Sequence, residues 1–276
     1  MFKLSTRKKI YIAYCVYKIL RLFGVKRHRI KAVNGVRYSL DLAEGIDLSI
    51  FLFGAFQKHV LINSLERDEE PTSIIDIGAN SGTVSLYYAN EYNNARIYSF
   101  EPSTYALQKF SRNLELNPSL SNRIVVIKAF VGENQQNDSG FISYASWPVD
   151  RLGGNRHPIH MGQSSEATDD YTSIDKYCSD NLVTNTRLIK IDTDGYEYEV
   201  IRGALNTIKE NRPVIIFELS LYELERRNID FNALVEPLKS LNYTLVDAKT
   251  RKEINNENVK GYVSKGGTID VLATPI

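Results

Sequence analysis

The chain has 276 residues, 43% hydrophobic and 24% charged, with two cysteines and a formal net charge of +1 at pH 7. At roughly 150 residues per domain this is one large domain, or a domain with an appended segment, and the balance excludes a disordered, collagen-like or disulfide-rich chain. Cys15 and Cys178 make neither a disulfide framework nor a thiolate metal site, so a reducing compartment is expected and no metal centre is indicated.

The small net charge hides an asymmetry. Residues 1–40 hold eleven Lys/Arg and no Asp/Glu, leaving 23 Lys/Arg against 33 Asp/Glu in the rest. Arg7, Tyr11, Tyr14, Lys18 and Arg21 recur three or four apart, one stripe of a helix over about 7–24, with Ile12, Cys15, Val16, Ile19 and Phe23 elsewhere on its surface. Such a basic amphipathic helix either packs on its own domain or a second subunit, making a homo-oligomer, or makes peripheral contact with a membrane. The apolar run from Ile10 to Tyr17 follows basic residues as in a signal peptide, but Lys18 and Arg21 interrupt it and no small-residue cleavage site follows. No stretch reaches the ~18–20 apolar residues that span a bilayer. The expected location is the cytoplasm, at the inner face of a membrane where the helix engages one.

Asn34-Gly35 between two short alternating runs predicts a β-hairpin. Ile50, Phe53, Phe56 and Val60 predict a helix over Ile46–Leu65, so residues 1–70 form a helix, hairpin and helix cap before the main domain at 71–276. From Ser73 the rhythm changes. Apolar runs at Ile74–Ile77, Arg96–Phe100, Ile124–Val131, Leu188–Ile191 and Val214–Phe217 alternate with amphipathic segments, which predicts βαβ units around a mostly parallel sheet. Ser103 is a candidate N-cap and Pro118 a helix stop, with Leu107, Phe110 and Leu114 as one buried stripe and Val200, Ile201, Ala204, Leu205 and Ile208 as another. A polar insertion over about 133–172 is too long for a simple connection and is expected to serve a substrate. Tyr243–Asp247 and Thr268–Ala273 read as a final hairpin.

The most informative string is Ile74-Ile75-Asp76-Ile77-Gly78-Ala79-Asn80-Ser81-Gly82-Thr83, a strand running into a glycine turn before a helix. Glycine there lets backbone approach a ligand. A dinucleotide fingerprint would need a second glycine where Asn80 stands, and a third, so pyrophosphate binding and an NAD-dependent oxidoreductase are disfavoured. Nineteen residues after Gly82, Glu101 ends the next strand, placed to accept the hydroxyls of a ribose. Gly78, Asn80, Glu101 and Gly132 are therefore expected to line one crevice.

At these residues the chain resembles the FkbM family of S-adenosylmethionine-dependent methyltransferases. The resemblance is carried by I-D-I-G-A-N-S-G at 75–82, F-E-P at 100–102, A-F-V-G-E at 129–133, S-I-D-K-Y at 173–177, K-I-D-T-D-G-Y-E at 190–197, R-G-A at 202–204 and I-I-F-E at 215–218. It covers about residues 34–220, and departs from the family at Asp192-Thr193-Asp194-Gly195, where D-V-E-G is usual. It implies a class I methyltransferase fold, Rossmann-like, with a mostly parallel seven-stranded sheet, an antiparallel last strand and flanking helices. It further implies S-adenosyl-L-methionine as cofactor and O-methylation of a sugar, glycan or other natural-product hydroxyl, as in polysaccharide biosynthesis. By carry-over Asp76, Gly78, Asn80 and Gly82 would surround the methionine part, Glu101 the ribose, and residues near the turn after Phe130 the adenine, with Pro102 and Phe130 counted among the cofactor-binding residues.

Transfer to a hydroxyl needs the nucleophile held in line and its proton removed. Asp192 at a strand end is the candidate base. Lys190, two residues earlier on the same strand face, orients it or an anionic substrate group, or else forms a structural ion pair. Glu218 should face the crevice as a substrate acceptor or the acid of a metal site. Glu197 and Glu199 read as ordinary helix-start carboxylates. His157 and His160 are a base pair or solvated loop residues, and Trp147 a stacking platform or core filler. A nucleic-acid methyltransferase would use the basic 1–40 segment as its footprint, but the acidic remainder argues against nucleic acid as a partner.

Overall fold

The computed structural model describes residues 6–55, 60, 72–133, 143–150, 162–263 and 267–276. Helix α1 (Thr6–Leu22) leads into the hairpin β1 (His28–Val33) and β2 (Val36–Asp41), then α2 (Gly45–Phe53). β3 (Ser73–Ile77), α3 (Thr83–Glu91), β4 (Arg96–Phe100), α4 (Thr104–Glu115), α5 (Pro118–Ser121) and β5 (Ile124–Ile127) follow. Short strands β6 (Phe130–Val131), β7 (Ser143–Ser146), β8 (Gln163–Ser165) and β9 (Tyr171–Thr172) precede α6 (Ile174–Asp180) and β10 (Thr186–Ile191). The chain continues through α7 (Glu197–Arg202), α8 (Leu205–Asn211), β11 (Val214–Leu219), α9 (Leu221–Arg226), α10 (Phe231–Ser240) and β12 (Tyr243–Asp247), and ends with α11 (Val259–Tyr262) and β13 (Ile269–Pro275).

Seven strands form one sheet in the order β12-β13-β11-β10-β3-β4-β5, with β13 antiparallel to both neighbours and the other pairs parallel. This is the expected class I methyltransferase architecture. Side chains alternate across the sheet. Ile75, Ile77, Ile189, Ile191, Ile215 and Phe217 enter a core with α6, α7, α8 and α10, whereas Ile74, Ile97, Leu188 and Ile216 enter a second core with α3 and α4. The hairpin and α2 bury Val36, Tyr38, Leu40, Leu48 and Ile50 in that second core.

The hairpin forms at Asn34-Gly35, where φ is +49° and +85°, the positive pair that a two-residue turn matching strand twist requires. Ser103 caps α4 by accepting from Ala106 N. Other expectations are corrected. The helix expected over Ile46–Leu65 is interrupted after Phe53, where Gly54 takes the left-handed conformation (φ +74°) and donates to Ile50 O; Val60 is again helical, and the rest of 56–65 lies outside the described residues. The single run expected at Ile124–Val131 splits: β5 stays in the main sheet, while Phe130 and Val131 leave it to pair with Tyr171 and Thr172. α4 ends at Glu115, just before Pro118 as expected, and Pro118 in addition opens α5 at its first turn, where a missing N–H costs nothing. In the polar insertion, β7 and β8 pair into a ribbon. His157 and His160 lie outside the described residues.

Candidate active site

Strand register places the site. Ile77 pairs with Phe100 and with Ile191, and Ile191 with Phe217. The next residues, Gly78, Glu101, Asp192 and Glu218, therefore stand in one row at the carboxyl edge of β3, β4, β10 and β11, the position where open α/β sheets take ligands. All four line one cavity of about 580 Å³, within the ~300–1,000 Å³ range of small-molecule sites. Its other walls include Asn80, Pro102, Phe130, Tyr144, Trp147, Thr193, Asp194 and Tyr196, with Ile10, Ile12, Ala13 and Val16 of α1 and Ile46, Leu52 and Phe53 at α2.

The glycine turn is shaped by close approach. Gly78, Asn80 and Gly82 all have positive φ (+74°, +49° and +74°). Gly78 N and Ala79 N both donate to Phe100 O, and a Cβ on Gly78 would collide with the Asp192 carbonyl. Gly82 instead lets α3 lie against the Phe110 ring, which a Cβ would strike. Gly82 does not line the cavity, and neither does Asp76: its side chain is fully buried, accepting from Ser85 Oγ at 2.6 Å with Lys190 Nζ 3.2 Å away. These two carry-over positions brace the turn from behind. Gly132, expected in the crevice, is packed against Tyr171 and Glu199 where β6 meets β9.

Glu101 accepts at both oxygens from backbone, Oε2 from Asn80 N and Oε1 from Ser103 N, each at 2.8 Å. Burial outweighs those bonds and the Lys190 charge, and pushes its carboxyl up to about 7. Glu101 lines the cavity, and each carboxylate oxygen has a second lone pair with which to accept from a ribose diol. Lys190 donates to Gly78 O at 2.9 Å and stands nearer Asp76 than Asp192, whose Oδ2 is 3.6 Å away. Burial lowers the affinity of this ammonium for its proton, but Asp76 and then Asp192 more than compensate and hold it above the ordinary value.

The turn after β10 carries the acidic wall. Asp194 and Gly195 have φ of +52° and +107°, an uncommon conformation for a side-chain-bearing residue. It is fastened by buried Glu197, whose Oε1 accepts from Thr193 N and Thr193 Oγ1 at 2.9 Å and from Gly195 N at 3.3 Å. Glu197 is thus more than a helix-start carboxylate. Burial first, and then Asp192 and neighbouring carboxylates, raise Asp194 well above the usual carboxylate range, and the same causes raise Glu218. Asp194 and Thr193, which the departure from the family motif marks without a role, join Tyr144 and Tyr196, to which no sequence signal gives a role, in the cavity wall. Asp-x-Asp-Gly at a strand end is the signal for the first, whereas the tyrosines reach the site through tertiary packing. Trp147 lines the cavity, its backbone tied to Glu44 and Gly45.

The described residues contain no cluster of three or more His, Cys, Asp or Glu arranged to hold a metal. A methyltransferase FkbM domain matches residues 76–245, more than half of the chain. The chain belongs to the FkbM methyltransferase family. It is a methyltransferase with S-adenosylmethionine as its cofactor, and the cavity beside the glycine turn has the size for that molecule and, in Glu101, an acceptor for its ribose.

This FkbM methyltransferase is 25% identical over 194 residues to the hexuronic acid methyltransferase AglP of Haloferax volcanii, covering 70% of each chain. It is 48% identical over 48 residues to methyltransferase sdnD of Sordaria araneosa, covering 17% of this chain and 18% of that one. Among solved structures, an FkbM methyltransferase of Methylobacillus flagellatus matches with a TM-score of 0.46 and 19% identity over 76% of this chain and 45% of that one.

Proposed function

We propose that this FkbM methyltransferase acts on a hydroxyl of a sugar, a glycan or a related small natural product. The observation that carries this reading is the placement of Asp192 at the strand-end row, beside Gly78 and Glu101 and within a wall it shares with Asp194, Glu218 and Thr193. When bound, S-adenosylmethionine supplies an electrophilic methyl group. Asp76, Ser85 and Lys190 stiffen the turn behind the cofactor side, while Glu101 takes the ribose and Phe130 and Pro102 cover the base.

Asp192 would accept the proton of the acceptor hydroxyl as its oxygen takes the methyl group and the sulfonium S–C bond breaks to leave S-adenosylhomocysteine, with the Lys190 ammonium 3.6 Å from the Asp192 carboxylate. Asp194 and Glu218, held toward their protonated forms, hydrogen-bond neighbouring hydroxyls. Trp147, Tyr144 and Tyr196 offer ring faces to the apolar side of a sugar. A wall of crowded carboxylates with no described basic residue but Lys190 disfavours a phosphate-bearing acceptor and argues against nucleic acid. AglP, named for a hexuronic acid, supports the sugar class.

The test is transfer of labelled methyl to a panel of neutral hexoses, hexuronic acids and oligosaccharides. An alkali-stable ether on a sugar is the expected product. An alkali-labile methyl ester, or labelled RNA with no labelled sugar, would overturn the hydroxyl reading.

A further inference from the structure

We infer that the outward face of α1, together with Phe53 at the end of α2, docks on the surface of an anionic lipid bilayer. A helix of a globular protein ordinarily turns its apolar arc inward and leaves charge outside. Here Tyr17 is buried and Ala13 and Leu20 pack on the second core, yet the opposite arc is apolar as well. Ile12 is 48% exposed, Ile19 52%, Leu22 85%, Phe23 83% and Phe53 77%. Ile12 and Phe53 also line the cavity, so the exposed face runs to its rim. Contiguous apolar surface of this kind marks an interaction site.

Charge selects the occupant. Residues 1–40 carry eleven Lys/Arg and no Asp/Glu, whereas the remainder is acidic. Lys18, Arg21 and Lys26 are exposed beside the apolar arc and pair with no carboxylate among the described residues, unlike Arg27, which is taken by Asp41 and Asp150. Exposed apolar side chains flanked by cations match the boundary between headgroups and acyl chains of an anionic bilayer. A second copy fits poorly, because a two-fold contact would set this basic surface against itself. Nucleic acid would satisfy the cations but leave Leu22, Phe23 and Phe53 without apolar partners. No described helix is long and apolar enough to cross a membrane, so α1 lies along the surface, and docking sets the bilayer beside the cavity rim.

Docking does not depend on the methyl-transfer reading, and the two are tested separately. The full chain is sedimented with vesicles of phosphatidylcholine alone and with vesicles one-third phosphatidylglycerol, at low and high salt. The expected result is binding to the mixed vesicles that weakens by about tenfold in high salt and in pure phosphatidylcholine. Leu22→Ser with Phe23→Ser, and separately Lys18→Glu with Arg21→Glu, should each weaken it by about tenfold or more. Calorimetric binding of S-adenosylhomocysteine should stay at the wild-type value in both, which shows that the fold and the cavity persist. No sedimentation with the mixed vesicles overturns the inference. So does self-association of the wild type that the apolar double variant abolishes while vesicle binding is unchanged. Vesicle binding without any cofactor binding by the wild type would leave docking standing and sink the catalytic reading instead.

Discussion

The ammonium of Lys190 lies 3.2 Å from Asp76 Oδ1, and the two residues are register partners on adjacent parallel strands. The pair is buried, with Asp76 fully inaccessible and Lys190 4% exposed. Breaking such a pair leaves an uncompensated charge in the interior, which costs about 3–5 kcal/mol, whereas removing both charges is far milder. Lys190→Met is therefore expected to lose stability of that order in urea unfolding, and Asp76→Asn with Lys190→Met to recover most of it. If the double variant is as unstable as the single one, the ion pair is not what holds these strands together.

Glu101 gives a pH dependence whose sign follows from its raised affinity for a proton. Its folded value of about 7 lies above the ordinary 4.5, so between those values the native state binds the proton that the unfolded chain releases. The stability linked to this group is fully present below about pH 4.5 and is lost as pH rises through 7. Cofactor affinity runs the other way, because a ribose diol donates best to the ionised carboxylate. S-adenosylhomocysteine binding is expected to weaken by about tenfold per unit below pH 7, and Glu101→Gln to bind weakly with a flat profile. Calorimetry from pH 5.5 to 8.5 distinguishes the two.

Asp192→Asn keeps the size and hydrogen-bonding shape of the side chain but removes its capacity to take a proton. Loss of a general base costs about 10²–10⁴ in rate. The expectation is a fall of that size in kcat with methyl-acceptor KM and S-adenosylhomocysteine affinity within a few-fold of wild type. A comparable loss of cofactor affinity would make Asp192 a cofactor-binding residue rather than the base.

The features most legible in sequence are those whose cause is local. Asn34-Gly35 specifies its own turn, Ser103 its own cap, and the alternation in Ile74–Ile77 and Leu188–Ile191 fixes which residues face each core. Strand-end position alone put Glu101, Asp192 and Glu218 at the cavity. The less legible features depend on what packs from elsewhere. Asp76 and Gly82 sit in the same motif as Gly78 but point behind the turn, toward Ser85 and Phe110. Nothing within Ile124–Val131 shows that its last residues leave the sheet for Tyr171 and Thr172. The periodicity of α1 marks an amphipathic helix, but which arc faces the protein is decided by the second core, so its share of the cavity wall emerges only in three dimensions.

Three glycines separate backbone demand from packing. Gly82 has φ +74° and faces the Phe110 ring, whereas Gly261 in α11 has nothing within 4 Å of an added Cβ. Gly82→Ala incurs the left-handed penalty of about 1–2 kcal/mol and an overpacking cost of about 1–3 kcal/mol against a fully buried ring. In a Phe110→Leu background only the first part should remain, so the alanine should cost less there. Gly261→Ala is expected to be neutral to stabilising by about 0.5 kcal/mol, since alanine restricts the unfolded chain, the position has no positive φ and the added Cβ meets nothing. Gly78→Ala meets backbone, the Asp192 carbonyl, which no side-chain change relieves. It should therefore lose both stability and cofactor binding in every background, and retention of wild-type binding by Gly78→Ala would show that the turn is not pressed against β10 as described.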